Sequence, residues 1–98
     1  MSQHQENQQT WDQQTWRKLA KRLISTQMKK RDVKYEMLSQ RLATLGIKQS
    51  ASNLSTKVSS GVLGAELLLA ILFALDFKQL TVSDIEDVLQ DIGVDTNT

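Results

Sequence analysis

The chain has 98 residues, 40 % of them hydrophobic, with no cysteine, no proline and a net charge of +1. A length of this order implies one domain around one core, and folding buries roughly 60–65 % of the unfolded surface at that size. Without cysteine there is neither a disulfide framework nor a thiolate metal site, and the lone histidine, His4, cannot supply the several ligands zinc needs. No metal or other cofactor is therefore expected.

Residues 1–14 are rich in glutamine and poor in core formers, which predicts a flexible N-terminal tail. Gln-Gln-Thr-Trp at 8–11 recurs at 13–16, a period too short to define a structural repeat. Thr15 is the expected N-cap of a first helix that runs to about Lys30. Trp16, Leu19, Ala20, Leu23 and Ile24 follow the spacing of one buried stripe, with Arg17, Lys18, Lys21, Arg22 and Lys29 on the other side. A second helix is predicted from about Tyr35 to Leu45, with Tyr35, Leu38, Leu42 and Leu45 inward and Gly46 as its stop. Lys34 stands where a capping serine or threonine belongs, and its charge opposes the helix dipole. An arriving phosphate would relieve that misfit.

The third helix, about Ser50 to Ser59, has Ser50 as candidate N-cap and only Leu54 and Val58 as substantial apolar residues. So narrow a stripe leaves most of its girth exposed, and Gly61 ends it. The fourth helix, about Ala65 to Leu75, is apolar nearly all round and is expected at the centre of the bundle. The fifth begins at Ser83, with Glu86 three residues on as a capping box. Ile85, Val88, Leu89 and Ile92 form its apolar stripe, and Asp84, Glu86, Asp87 and Asp91 make it acidic. Residues 95–98 read as a flexible C-terminus, which leaves 15–94 as a single helical domain.

The expected fold is all-α, a compact bundle of about five helices with short connections. No basic stretch followed by an apolar run stands at the N-terminus, so no signal peptide is expected. The longest apolar run, Leu67 to Leu75, is nine residues, against the roughly 20 of a membrane span. A cytoplasmic protein with no membrane partner is expected.

Charge is segregated along the chain: −2 over residues 1–15, +9 over 16–60 and −6 over 61–98. Such segregation bears on partners more than on fold. Within the basic part, Val33 to Gly61 reads helix, glycine-containing turn, short polar helix, the signature of a helix-turn-helix whose second helix enters the major groove. Gln49, Ser50, Ser52, Asn53, Thr56 and Lys57 supply donors and acceptors small enough to reach base edges. Lys29, Lys30, Arg31, Lys34, Arg41 and Lys48 stand around them as candidate phosphate contacts.

The stretch GVLGAELLLAILFAL, preceded by NLSTKVSSG and by VKYEMLSQRLATLGI, resembles a small bacterial domain family of unknown function. Its members pair a Tyr-Glu-x-Leu helix with Asn-Leu-x-x-Lys-[Ile/Val]-Ser-Arg-Gly and an apolar helix. The matching positions are Tyr35, Glu36, Leu38, Asn53, Leu54, Lys57, Val58, Ser59, Gly61 and Ala65, within a resemblance covering about Trp16 to Phe77. The order of helices is more distantly similar to the lambda-repressor-like DNA-binding domains, which implies a five-helix fold and transcriptional regulation by analogy. The chain departs from the small family at Ser60, in place of arginine, and at Lys34, in place of threonine. Against the repressor-like pattern its second helix carries about one extra turn, Ala43-Thr44-Leu45.

The expected function is double-stranded DNA binding by a homodimeric transcriptional regulator, with helices 4 and 5 available to the second subunit. The alternative is a non-enzymatic protein-interaction adaptor, or a self-associating module driven by the opposite charges of its two halves. Structured RNA stays open as a third partner class. No side chain is arranged as a nucleophile with an oriented base, so no enzymatic activity is expected.

Overall fold

The computed structural model describes residues 11–94 and 96. Positions 1–10 of the expected N-terminal tail, His4 among them, lie outside the described residues, as do 95, 97 and 98. Five helices and no strand occur among the described residues: α1 Gln13–Lys30, α2 Tyr35–Thr44, α3 Ala51–Ser60, α4 Ala65–Ala74 and α5 Val82–Asp91.

Four of the five helices stop in the same way. At the ends of α1, α2, α4 and α5 a residue with positive φ is followed by an apolar one: Asp32-Val33, Gly46-Ile47, Asp76-Phe77 and Gly93-Val94. The apolar residue's N–H reaches back five residues to the carbonyls of Met28, Leu42, Leu72 and Leu89 respectively, at 2.9, 3.0, 2.9 and 2.9 Å. These are Schellman closures, which satisfy the orphan carbonyls of the last turn and fold an apolar side chain back onto the helix. Two of the four use aspartate rather than glycine, so a reading based on glycines alone does not find the stop at Asp76.

The starts are less uniform. Asp12, not Thr15, caps α1, accepting from the Thr15 N–H at 2.9 Å and from its hydroxyl at 3.0 Å. Thr15 is fully buried, one turn inside the helix. On α5 the capping box is Thr81 with Asp84 rather than Ser83 with Glu86, so that helix begins two residues earlier than expected. Lys34 begins α2 with no side-chain cap, as its residue type implies.

Packing follows the spatial order α5–α1–α3–α2–α4. The main core joins Ile24 and Met28 of α1, Leu38 and Leu42 of α2, Leu54 and Val58 of α3, and Leu67, Ile71 and Leu75 at α4. A second cluster joins Leu19 of α1 to Leu89 and Val94 at the α5 end, with Ile85, Val88 and Ile92 against it. Each fully buried side chain of this kind stabilises the fold by about 1.5–3 kcal/mol before entropy is charged.

Gly61 sets how closely the end of α3 approaches α1. Its φ is +73°, and a Cβ there would stand 2.2 Å from the Arg17 carbonyl oxygen, an impossible contact with backbone. Only glycine meets both conditions.

Three burial expectations are corrected. Trp16 is 48 % exposed and lies against the equally exposed Trp11, ring centroids 5.5 Å apart, because Thr15 takes the inward position one residue earlier. Leu45 is exposed at the end of α2 instead of facing inward, since Ile47 packs against the core just beyond the turn. Most consequentially, α4 is not central. It packs chiefly on α2 and stands at one end of the row, with Leu69 and Phe73 turned to solvent.

Candidate nucleic-acid interface

Helix α3 sits in the middle of the row, held on α1 and α2 by Leu54 and Val58, which are 0 % and 1 % exposed. Those two side chains set its rotation, and helical spacing then turns Ser52, Asn53, Thr56, Ser59 and Ser60 outward, all exposed. The outward face therefore carries hydroxyls and one amide, with no charge and no bulk.

The hydrogen bonding of that face is partly internal. Ser50 caps the helix, accepting from the Asn53 N–H at 3.0 Å. The Thr56 hydroxyl donates to the Ser52 carbonyl at 3.1 Å, and the Ser60 hydroxyl donates to the Lys57 carbonyl at 2.9 Å. The Thr56 hydroxyl keeps acceptor capacity toward solvent, while the Ser60 oxygen also accepts from the Val62 N–H at 3.2 Å. The Asn53 amide is exposed, and its backbone N–H is the one that donates to the Ser50 cap. Gln49 is half-buried, its carbonyl accepting from the Ser39 hydroxyl at 2.6 Å, which ties the α2–α3 connection to α2.

Cations stand on both flanks of α3. On one side a groove of about 820 Å³ separates the start of α3 from α1 and the start of α2, with Lys29, Lys34, Tyr35 and Ser52 on its walls. Burial pushes the Tyr35 phenol above its ordinary pKa, so it stays a neutral hydroxyl there. Asp32 and Glu36 line the same groove and moderate its charge. On the other side Lys48 and the half-buried Lys57 share a cavity of about 410 Å³ with Glu66.

Of the ten residues expected at the site, eight cluster on or beside α3: Lys34, Lys48, Gln49, Ser50, Ser52, Asn53, Thr56 and Lys57. Lys30 and Arg31 do not. Lys30 lines a separate cavity with Phe77, Asp84 and Asp87 on the α5 side. Arg31 stacks over Phe77 at 5.6 Å and donates to Gln27 and to the Asp76 carbonyl. Arg41 likewise points elsewhere, donating to the Ala74 carbonyl at 3.0 Å. Successive residues of a helix diverge by about 100°, so Lys29 and Lys30 face different neighbours.

Of the α1 cations on this side, Lys29 is among the expected phosphate contacts, whereas Arg17 and Lys21 are expected only on the polar side of the helix. Ser25 and Lys29 line the groove with α3, and the Arg17 backbone touches Gly61. Arg17, Lys21, Ser25 and Lys29 recur every fourth residue and so form one line along that flank. That spacing is the signal by which they are found.

The chain belongs to the family described as a domain of unknown function (DUF6471), matched over residues 16–80. The match takes in nearly all of α1 and the whole of α2, α3 and α4, and it stops before α5. No curated protein and no solved structure matches the chain.

Proposed function

We propose that this member of the DUF6471 family binds double-stranded DNA as a transcriptional regulator. In this reading α2, the connection 45–50 and α3 work as a helix-turn-helix, with α3 as the recognition helix. One observation carries it: the outward face of α3 is small, uncharged and polar, and basic side chains border it on both sides. A major groove about 12 Å wide admits a helix, and short side chains let its backbone approach the base edges.

The roles follow from position. Asn53 has the bidentate amide that pairs with adenine, and Lys57 the ammonium that reaches guanine acceptors. Ser52 and Thr56 offer hydroxyls along the same face. Arg17, Lys21, Lys29, Lys34 and Lys48 meet phosphates, which fix register without reading sequence. The uncapped first turn of α2 adds backbone N–H groups where one phosphate arrives beside Lys34.

The experiment is binding to random and genomic duplexes by fluorescence anisotropy across a range of salt. Neutralising about six phosphates makes log affinity fall with log salt at a slope near −5. Lys29→Ala weakens every sequence about equally, Asn53→Ala lowers discrimination between sequences, and Lys30→Ala changes little. Absence of binding at low salt sinks the proposal, as does a preference for structured RNA in competition. Equal losses for Lys29→Ala and Lys30→Ala would move the interface off α3.

A further inference from the structure

Helix α4 stands at an end of the row with the surface of a helix that has a neighbour. Leu67 and Ile71 face inward, while Leu69 and Phe73 are 65 % and 74 % exposed and one turn apart, forming a ridge. Next to that ridge, on the side of α2, lie the small side chains of Ala70 and Ala74, partly buried against the core. Beyond them Met37, Arg41 and Leu45 recur every fourth residue along α2, all exposed. The Arg41 guanidinium donates to the Ala74 carbonyl at 3.0 Å, which places this stripe along the trough. An alanine floor between two ridges takes a helix carrying a bulky stripe, and α4 is itself such a helix. The surface is complementary to itself, the condition for a twofold contact.

Charge selects the orientation. Glu66, which also borders the cavity of Lys48 and Lys57, is exposed at the N-terminal end of α4. At the C-terminal end stand Arg41 and Lys78, with Asp76 there held in an ion pair by Lys78 at 2.8 Å. Antiparallel pairing of two α4 helices brings each Glu66 toward Arg41 of the partner subunit and opposes the helix dipoles favourably. Parallel pairing would set the two Glu66 carboxylates together.

We infer that the chain forms a twofold homodimer through α4, with Phe73 and Leu69 of each copy seated in the other's Ala70–Ala74 trough. The α2 stripe forms the far wall, and Glu66 with Arg41 of the partner subunit closes each rim. Helix α5 takes no part, since its apolar stripe is already committed to α1. The combined row then runs from one acidic α5 to another with no apolar end. With few apolar anchors per copy the interface lies at the small end of specific contacts, so association depends on concentration.

Sedimentation equilibrium of the full chain at moderate salt tests this. The mass should rise from monomer to dimer with concentration and stop there. Phe73→Ala removes two anchors from each dimer and weakens association by at least about thirtyfold, the value of one central aromatic anchor, and Phe73→Glu leaves monomer throughout. Circular dichroism and melting controls should show the fold intact, because Phe73 is exposed. Glu66→Arg and Arg41→Glu each weaken the dimer, and together they restore it. A monomer at every concentration overturns the inference, as does a dimer indifferent to Phe73. A ladder of higher masses that collapses in salt points instead to head-to-tail charge association and also overturns it. So does a monomer that cosediments with lipid vesicles through Phe73. No nucleic acid enters the measurement, so its failure and that of the DNA reading are separately visible.

Discussion

Helices α4 and α5 are each ten residues long and each stands at an end of the row, yet they finish it differently. α5 lays Leu89 and its neighbours on α1 and turns Glu86, Asp87 and Asp91 to water. α4 lays Leu67 and Ile71 on the core and turns Leu69 and Phe73 to water. An amphipathic helix can end an array because its second face is already matched to solvent. A uniformly apolar helix has no such face, and at an end it leaves surface for something else to cover. The position of α4 is thus the observation behind the proposed dimer, while that of α5 concerns only the fold.

The largest expected effect separates the two ends by stability. Leu89→Ala removes a side chain 3 % exposed and should cost about 2–5 kcal/mol in denaturant unfolding. Phe73→Ala removes a larger one and should change monomer stability by less than about 0.5 kcal/mol. Measured in dilute solution, where no dimer forms, equal losses at the two positions would mean that α4 is buried after all. Association reverses the order, since Phe73→Ala then acts and Leu89→Ala does not.

A smaller effect probes how the ends begin. Thr81→Ala deletes the hydroxyl that accepts from the Asp84 N–H at 3.1 Å, and should cost about 1 kcal/mol with hydrogen exchange rising first in α5. Gly64 begins α4 with no side chain to lose and with a φ of +80°, so Gly64→Ser should destabilise through backbone strain rather than add a cap.

The smallest expected effect concerns acid. Lys78, through its hydrogen bond and its charge, holds the exposed Asp76 carboxyl below the usual carboxylate range. A carboxyl depressed in the folded state stabilises fully above its unfolded pKa and loses that contribution as pH falls through the folded one. Lys78→Ala should flatten this part of the acid profile, leaving the Thr81→Ala and Leu89→Ala profiles unchanged in shape.

Much of this was legible in the sequence. The narrow stripe of Leu54 and Val58 is enough to orient α3, because two buried residues one turn apart leave one rotation that buries both. The missing cap at Lys34 follows from its side chain having no acceptor. Less legible was the division of the basic residues. Lys30 and Arg31 adjoin Lys29 in sequence but face α5 and Phe77, and the flank beside α3 draws instead on Arg17, Lys21 and Lys29 of the same helix. Trp16 fits the spacing of the α1 stripe as well as Thr15 does. Which of them turns inward depends on the neighbours of α1, and those are distant in the chain.

Local chemistry therefore determined the five helices, most of their ends and the polar character of α3. Periodicity, caps and stops act over a few residues, and short-range patterns record them. Tertiary structure alone decided the order α5–α1–α3–α2–α4, and with it which apolar face is left open. Periodicity carries a direction only when a helix is amphipathic. The sequence of α4 is apolar on nearly every side, so it states that the helix must be covered without stating where, and only the packing of the other four shows which side remains.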